Sequence, residues 1–128
     1  MDWEQDEIRN LQESQYIIID DEPCEIQSID TSKPGKHGEA KARIEAKGIF
    51  DQKKHSMLNP VTTKVRVPII DRRKGQVVNK SGGEVNIMDL DSYDTFQINV
   101  NQDTFDDLEQ GQNIRYLEAM GRKKIIRK

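Results

Sequence analysis

The chain has 128 residues, with 20 Lys and Arg against 23 Asp and Glu and a formal net charge of −3. Its 15 Ile and 7 Val against 5 Leu favour strands over helices, and its apolar content admits modest cores but not a large one. Cys24 is the only cysteine, no apolar run approaches the roughly 20 residues of a membrane span, and the acidic start MDWEQDE has no signal-peptide core. These features exclude a disulfide scaffold and a membrane partner, and they make a reducing, cytoplasmic setting the expectation.

In chain order, residues 16–20 (YIIID) read as a strand and Asp-Asp-Glu-Pro as a turn. Residues 24–29 (CEIQSI) read as a second strand, with Cys24, Ile26 and Ser28 on one face and Ile29 on the other. Ala40, Ala42, Ile44 and Ala46 then alternate with Lys41, Arg43, Glu45 and Lys47, which predicts a strand with one apolar and one charged face. Residues 63–70 (TKVRVPII) alternate again, and Pro68 ends that run or confines it to an edge. The polar stretch DRRKG, residues 71–75, is expected as the junction between domains 1–70 and 71–128. Beyond it, residues 76–79 and 84–90 read as a hairpin across Lys-Ser-Gly-Gly, and residues 95–100 as a further strand. A helix is expected over residues 104–110, capped by Asp103 or Thr104 and stopped by Gly111. Residues 113–119 and 124–127 close the chain as strands joined through Met120-Gly121. The pattern predicts an all-β protein, with a five-stranded barrel and one short helix in its second half.

Charge is unevenly distributed. Residues 1–30 hold ten acidic side chains and one basic, whereas residues 31–66 hold nine basic and three acidic. A second basic cluster, RKKIIRK, ends the chain, either as the edge of a last strand or as a further RNA contact. Local positive fields of this kind suit phosphate binding, although charged strand faces are commonly just solvated.

The segment TSKPGKHGEAK, residues 31–41, lies between two strand-like runs. Pro34 stiffens the approach, and Gly35 and Gly38 bracket Lys36 and His37, which predicts a hairpin tip holding a lysine out into solvent. A Walker-type phosphate loop is excluded: no glycine lies five residues before Gly35, and His37 occupies the Ser/Thr position. Cys24, His37 and His55 lack metal-ligand spacing, and no base or oxyanion partner for a nucleophile can be named, so neither a metal nor a catalytic site is expected. From residues 31–41 alone, a merely flexible basic turn is the default reading.

That segment, extended to TSKPGKHGEAKARIEAKGIF, together with NPVTTKVRVPII and VNIMDLDSYDTFQINV, closely resembles the archaeal translation initiation factor 5A family, a distant relative of bacterial elongation factor P. The resemblance implies an N-terminal SH3-like barrel followed by a C-terminal OB-fold barrel. It implies that Lys36 is converted to deoxyhypusine or hypusine by deoxyhypusine synthase, with spermidine as donor and no cofactor of the chain's own. It implies as partners the ribosome, through rRNA and peptidyl-tRNA, and as function the promotion of peptide-bond formation at stalls such as consecutive prolines. By the same resemblance, Lys33, Pro34, Gly35, His37 and Gly38 support modification and tRNA contact, with His37 either a recognition residue or a passive turn residue. Lys41, Arg43 and Lys47 are then RNA phosphate contacts. Glu39 departs from the family pattern and sets a negative charge near the tip. The competing expectation is a general RNA-binding protein using the OB-type half; an RNA-cleaving enzyme ranks below it, because no carboxylate pair or histidine constellation is found.

Overall fold

Strand β4 (Lys41–Gly48) sets the pattern of the first sheet. Ala42, Ile44 and Ala46 are buried while Lys41, Arg43 and Lys47 are exposed, so one face of the strand is core and the other is water. The computed structural model describes residues 2–33 and 38–126, and the chain divides into two units, Met1–Ile69 and Ile70–Lys128.

In the first unit, β1 (Trp3–Glu7) pairs with β6 (Lys64–Pro68), and β2 (Tyr16–Ile19), β3 (Glu22–Ser32), β4 and β5 (Lys54–Pro60) form an antiparallel sheet in chain order. A 3-10 turn, Ile8–Asn10, seats Ile8 in a core with Ile17, Ile19, Cys24, Ile26, Ile44 and Val65. The expected four-residue turn over residues 20–23 is tighter. Asp20 and Asp21 alone turn the chain, at φ 55° and 61°, and Glu22 and Pro23 already belong to β3. The expected facing of Ser28 and Ile29 is also corrected. The β3–β4 register shifts between Ile26 and Ser28, so Ser28 lies opposite Glu45 on the outer face and Ile29 opposite Ile44, packed on the core. A bulge of one extra residue reverses the alternation beyond it.

The second unit is one curled antiparallel sheet in the order β11-β10-β7-β8-β9. Its strands are β7 (Asp71–Ser81), β8 (Glu84–Asp89), β9 (Thr95–Asn99), β10 (Asn113–Ala119) and β11 (Arg122–Ile126), with the helix α1 (Gln102–Asp107) between β9 and β10. The DRRKG stretch is not a junction loop. It is the first half of β7, with Arg72 opposite Leu117 and Lys74 opposite Arg115. Within β7, Gly75 answers to a close approach, because a Cβ there would sit 2.7 Å from Ile87 Cγ2. The helix starts and ends earlier than expected. Asn101 caps it by accepting the Thr104 N–H at 2.8 Å, and Gly111 (φ 86°) instead shapes the turn into β10. β11 likewise starts at Arg122, and Arg127 lies outside the described residues. Val77, Val85, Ile87, Leu108, Ile114 and Tyr116 make the core. On the edge strand β11, the Lys123 ammonium lies 5.1 Å over the Phe96 ring of β9, the other edge. The chain is all-β with one short helix, an SH3-like unit followed by an OB-type unit.

Candidate functional site

The β3–β4 pairing ends at Ser32 opposite Lys41, so residues 33–40 connect the two strands. The far end of this hairpin lies outside the core, with Asp30, Thr31, Ser32, Lys33, Gly38, Glu39 and Lys41 all exposed. Its root is held on the other side as well. Lys41 lies opposite Pro60 of β5, and the Val61 N–H donates to the Ala40 carbonyl at 2.9 Å. That tether comes from a segment with no strong sequence signal. β5 has neither β-branched residues nor a continuous apolar run, and only its alternation of exposed Lys54, Ser56 and Leu58 with half-buried His55, Met57 and Asn59 marks it. Pro34, Gly35, Lys36 and His37, and with them the expected tip geometry, lie outside the described residues.

Register decides what surrounds the three expected phosphate contacts. Lys41 is flanked by Ser32 and Pro60, Arg43 by Asp30 and Leu58, and Lys47 by Glu25 and Lys54. Among the described residues none of the three is in an ion pair, nor is Glu39, whereas Lys54 pairs with Glu45 at 3.2 Å. Arg43 therefore has a carboxylate, Asp30, directly opposite it, Lys47 has a carboxylate on one side and a cation on the other, and Lys41 has no charged residue opposite it. Arg43 stands beside Leu58, which is 53% exposed.

At the opposite end of the sheet, His55 joins two turns. Its Nδ1 lies 3.0 Å from Asp20 Oδ2 and its Nε2 2.7 Å from Asp51 Oδ2. Hydrogen bonds to Asp20 first, and then to Asp51, raise its pKa above 6.5. A proton that binds the folded state more tightly stabilises it below the unfolded pKa, and that contribution is lost as pH rises through the raised folded value. The first unit is therefore expected to lose stability as pH climbs from about 6.5 through the raised folded value. Urea denaturation across that range measures the loss, and His55→Gln should flatten the step. The Cys24 thiol is fully buried, donates to the Glu22 carbonyl at 3.3 Å and is pushed by burial up to about 11, which makes it inert rather than nucleophilic.

Among the described residues of the second unit the buried charge is Asp89. It accepts from Arg73 Nε at 2.6 Å, from the Tyr116 hydroxyl at 2.5 Å and from the N–H groups of Asp91 and Ser92 at 2.8 Å. The Arg73 guanidinium holds this carboxyl well below the ordinary 3.8. Burial, then the Asp89 carboxylate, push the Tyr116 hydroxyl up to about 12. The cluster is saturated and serves to fix the β8–β9 loop. Among the described residues no group of three or more His, Cys, Asp or Glu could hold a metal ion, and no helix is long and apolar enough to cross a membrane.

Comparison with known proteins gives a consistent picture. A family model described as "Translation initiation factor 5A-like, N-terminal" matches residues 5–63. The chain is 51% identical over 124 residues to translation initiation factor 5A of Archaeoglobus fulgidus, covering 97% of each chain. It is 53% identical over 122 residues to that of Methanothrix thermoacetophila, covering 95% of this chain and 96% of the relative. Among solved structures it is similar to eukaryotic translation initiation factor 5A from Methanococcus jannaschii, with a TM-score of 0.90 and 46% identity over 98% of this chain and 94% of that one.

Proposed function

The chain belongs to the translation initiation factor 5A family, and from that premise we propose that it is a ribosome-binding translation factor acting through a modified Lys36. In this reading deoxyhypusine synthase transfers an aminobutyl group from spermidine to the Lys36 amine: a C–N bond of spermidine breaks, 1,3-diaminopropane leaves, and a new C–N bond forms at the Lys36 nitrogen. The product is a long, thin side chain with a second cationic nitrogen, suited to the phosphates and riboses of a tRNA acceptor end. Ordering peptidyl-tRNA in this way lowers the barrier to peptide-bond formation by positioning, with no covalent chemistry from the factor itself. The setting is the cytoplasm, and the partners are rRNA, peptidyl-tRNA and the modifying enzyme.

One observation carries the reading. A two-stranded arm, tied at its root to β5, carries the sequence KPGKHG in the connection beyond its last exposed pair, Ser32 opposite Lys41. A modifying enzyme and an acceptor end both need an amine that can be approached from several sides. An arm whose flanking residues are already exposed supplies that access. The exposed row Lys41, Arg43 and Lys47 offers phosphate contacts in series down the same arm. The test is a reconstituted translation system stalled on consecutive prolines. Protein carrying the aminobutyl adduct, verified by intact mass, should release the stall, and unmodified protein should release it poorly. If the adduct makes no difference, the reading fails.

The phosphate contacts carry their own prediction. Each genuine contact adds about one unit to the slope of log affinity against log salt. Lys41→Ala should reduce the slope for ribosome binding by about one unit, and Arg43→Ala and Lys47→Ala by about one or less, because Asp30 and Glu25 stand opposite them. Filter binding across a salt series measures this, and three null effects would remove these residues from the interface.

A further inference from the structure

A hollow of about 340 Å³ opens in the second unit between the edge strands β9 and β11, beneath the β8–β9 loop. One side is aromatic, where Phe96 packs on Tyr116 with ring centroids 4.8 Å apart. The Lys123 ammonium lines it too, 5.1 Å over the Phe96 ring and 3.0 Å from a Glu118 carboxylate oxygen. Asp94 stands on the rim, and among the described residues no cation pairs with it or with its neighbour Asp91. We infer that this hollow is a seat for a cationic side chain of a basic protein segment, and that the Lys123 ammonium is its resting, displaceable occupant.

Three observations on this surface converge. First, the seat already displays the pairing it would offer a ligand, a ring face on one side and a carboxylate on the other. An ammonium or guanidinium gains from both at once, and Arg gains more than Lys because its flat group stacks. Second, the lining holds three carboxylates (Asp89, Asp94 and Glu118) against two cations (Arg73 and Lys123). Asp89 is fully engaged with Arg73 and Tyr116, and Glu118 pairs with Lys123, so the unmatched charge of the lining is the exposed Asp94, with Asp91 in the same loop. A negative rim repels RNA phosphates and attracts a basic chain, which favours protein over nucleic acid here. Third, the rim loop is held in place. Asp89 accepts the backbone N–H groups of Asp91 and Ser92, and the loop presents Tyr93 at 69% exposure. An exposed tyrosine beside a charged seat supplies apolar contact area at low entropic cost, as interface tyrosines do. Lys123 and Glu118 are themselves 30% and 37% exposed, so exchange of one cation for another requires no opening of the core.

The inference uses only residues of the second unit, so its failure would leave the Lys36 reading untouched, and the converse holds. The test is a titration of the ¹⁵N-labelled full chain with N-acetyl-arginine amide. Saturable shifts are expected at the amides of Thr95, Phe96 and Glu118. Because Lys123 competes for the seat, Lys123→Ala should tighten binding about two- to fivefold, the range of an exposed ion pair. Glu118→Gln and Asp94→Asn should weaken it by a similar factor. Asp94 is exposed, so that variant tests the seat without disturbing packing. Absence of saturable shifts, or an affinity unchanged by Lys123→Ala, would overturn the inference. So would uridine monophosphate saturating the same amides more tightly than the arginine probe, which would make the seat a nucleotide site.

Discussion

A Lys36→Arg protein is expected to fold as its parent does, to acquire no aminobutyl adduct, and to give no relief of ribosomes stalled at consecutive prolines. Arginine keeps the positive charge, so a factor that acted through local charge alone would retain much of its activity. The proposed transfer instead needs a nucleophilic amine, which the delocalised guanidinium does not offer. The described core of the first unit is built from Ile8, Leu11, Ile17, Ile19, Cys24, Ile26, Ala42, Ile44, Ala46 and Val65, none of them in the connection that carries Lys36. Because none of those core residues is changed, a lost adduct should not coincide with lost stability. Intact mass after co-expression with the synthase reads the first outcome, thermal unfolding the second and the proline template the third. Relief at the parental level by Lys36→Arg protein would refute the assignment outright.

The second large effect concerns Asp89. Replacing it by Asn puts an N–H₂ group where one carboxylate oxygen now faces donors. The Tyr116 hydroxyl can rotate to accept, but the Arg73 guanidinium has donors only and is left facing another donor. Arg73 is 30% exposed and keeps its contact with Asp71 at 3.1 Å, so the charge left behind is only partly buried and the loss should be about 2–3 kcal/mol. Tyr116→Phe, which deletes a single bond to a charged group, should cost about 1.5–3 kcal/mol. Hydrogen exchange of the β7, β8 and β10 amides isolates the second unit from the first and checks both values. The pH dependence is fixed in sign. A carboxyl held below its ordinary 3.8 contributes stability that is present above that value and lost as pH falls through the lowered one. The parent's second unit should therefore resist acid well below pH 4, and Asp89→Asn should lose that margin. Equal protection in parent and variant would show that the carboxylate does not anchor the loop.

Asp89 also shows where legibility in the sequence ended. It sits in MDLDSYD among three other acidic or polar neighbours, and composition alone marks the stretch as exposed. Yet alternation from Val85 through Ile87 carries the inward face to residue 89, and all three are buried to 1% exposure or less. Counting by twos would have found it. The same count located the two faces of β4 correctly, because there the charged and apolar positions differ without exception. It failed in β3, where the bulge depends on a pairing partner that no local pattern reveals. β1 and β5 went unread because acidic or weakly β-prone residues form them and pairing, not propensity, holds them. DRRKG misled for the same reason, since a charged stretch becomes a strand once β10 lies alongside it. In the candidate site the family motif and the charged face were legible. The Val61–Ala40 tether and the residues standing opposite Lys41, Arg43 and Lys47 depend on register and were not.

The register shift between Ile26 and Ser28 imposes a parity rule on the arm. Between the core and the last pair, β3 carries one residue more than β4, and that odd residue lets Ile29 face inward while Asp30 and Ser32 face the same side as Arg43 and Lys41. Inserting or deleting a single residue in β3 beyond the shift would swap inner for outer positions and turn everything farther out through half a revolution. Length changes in steps of two would leave its aim intact. Descendants of this chain can therefore lengthen or shorten their reach, but only along a ladder of even rungs.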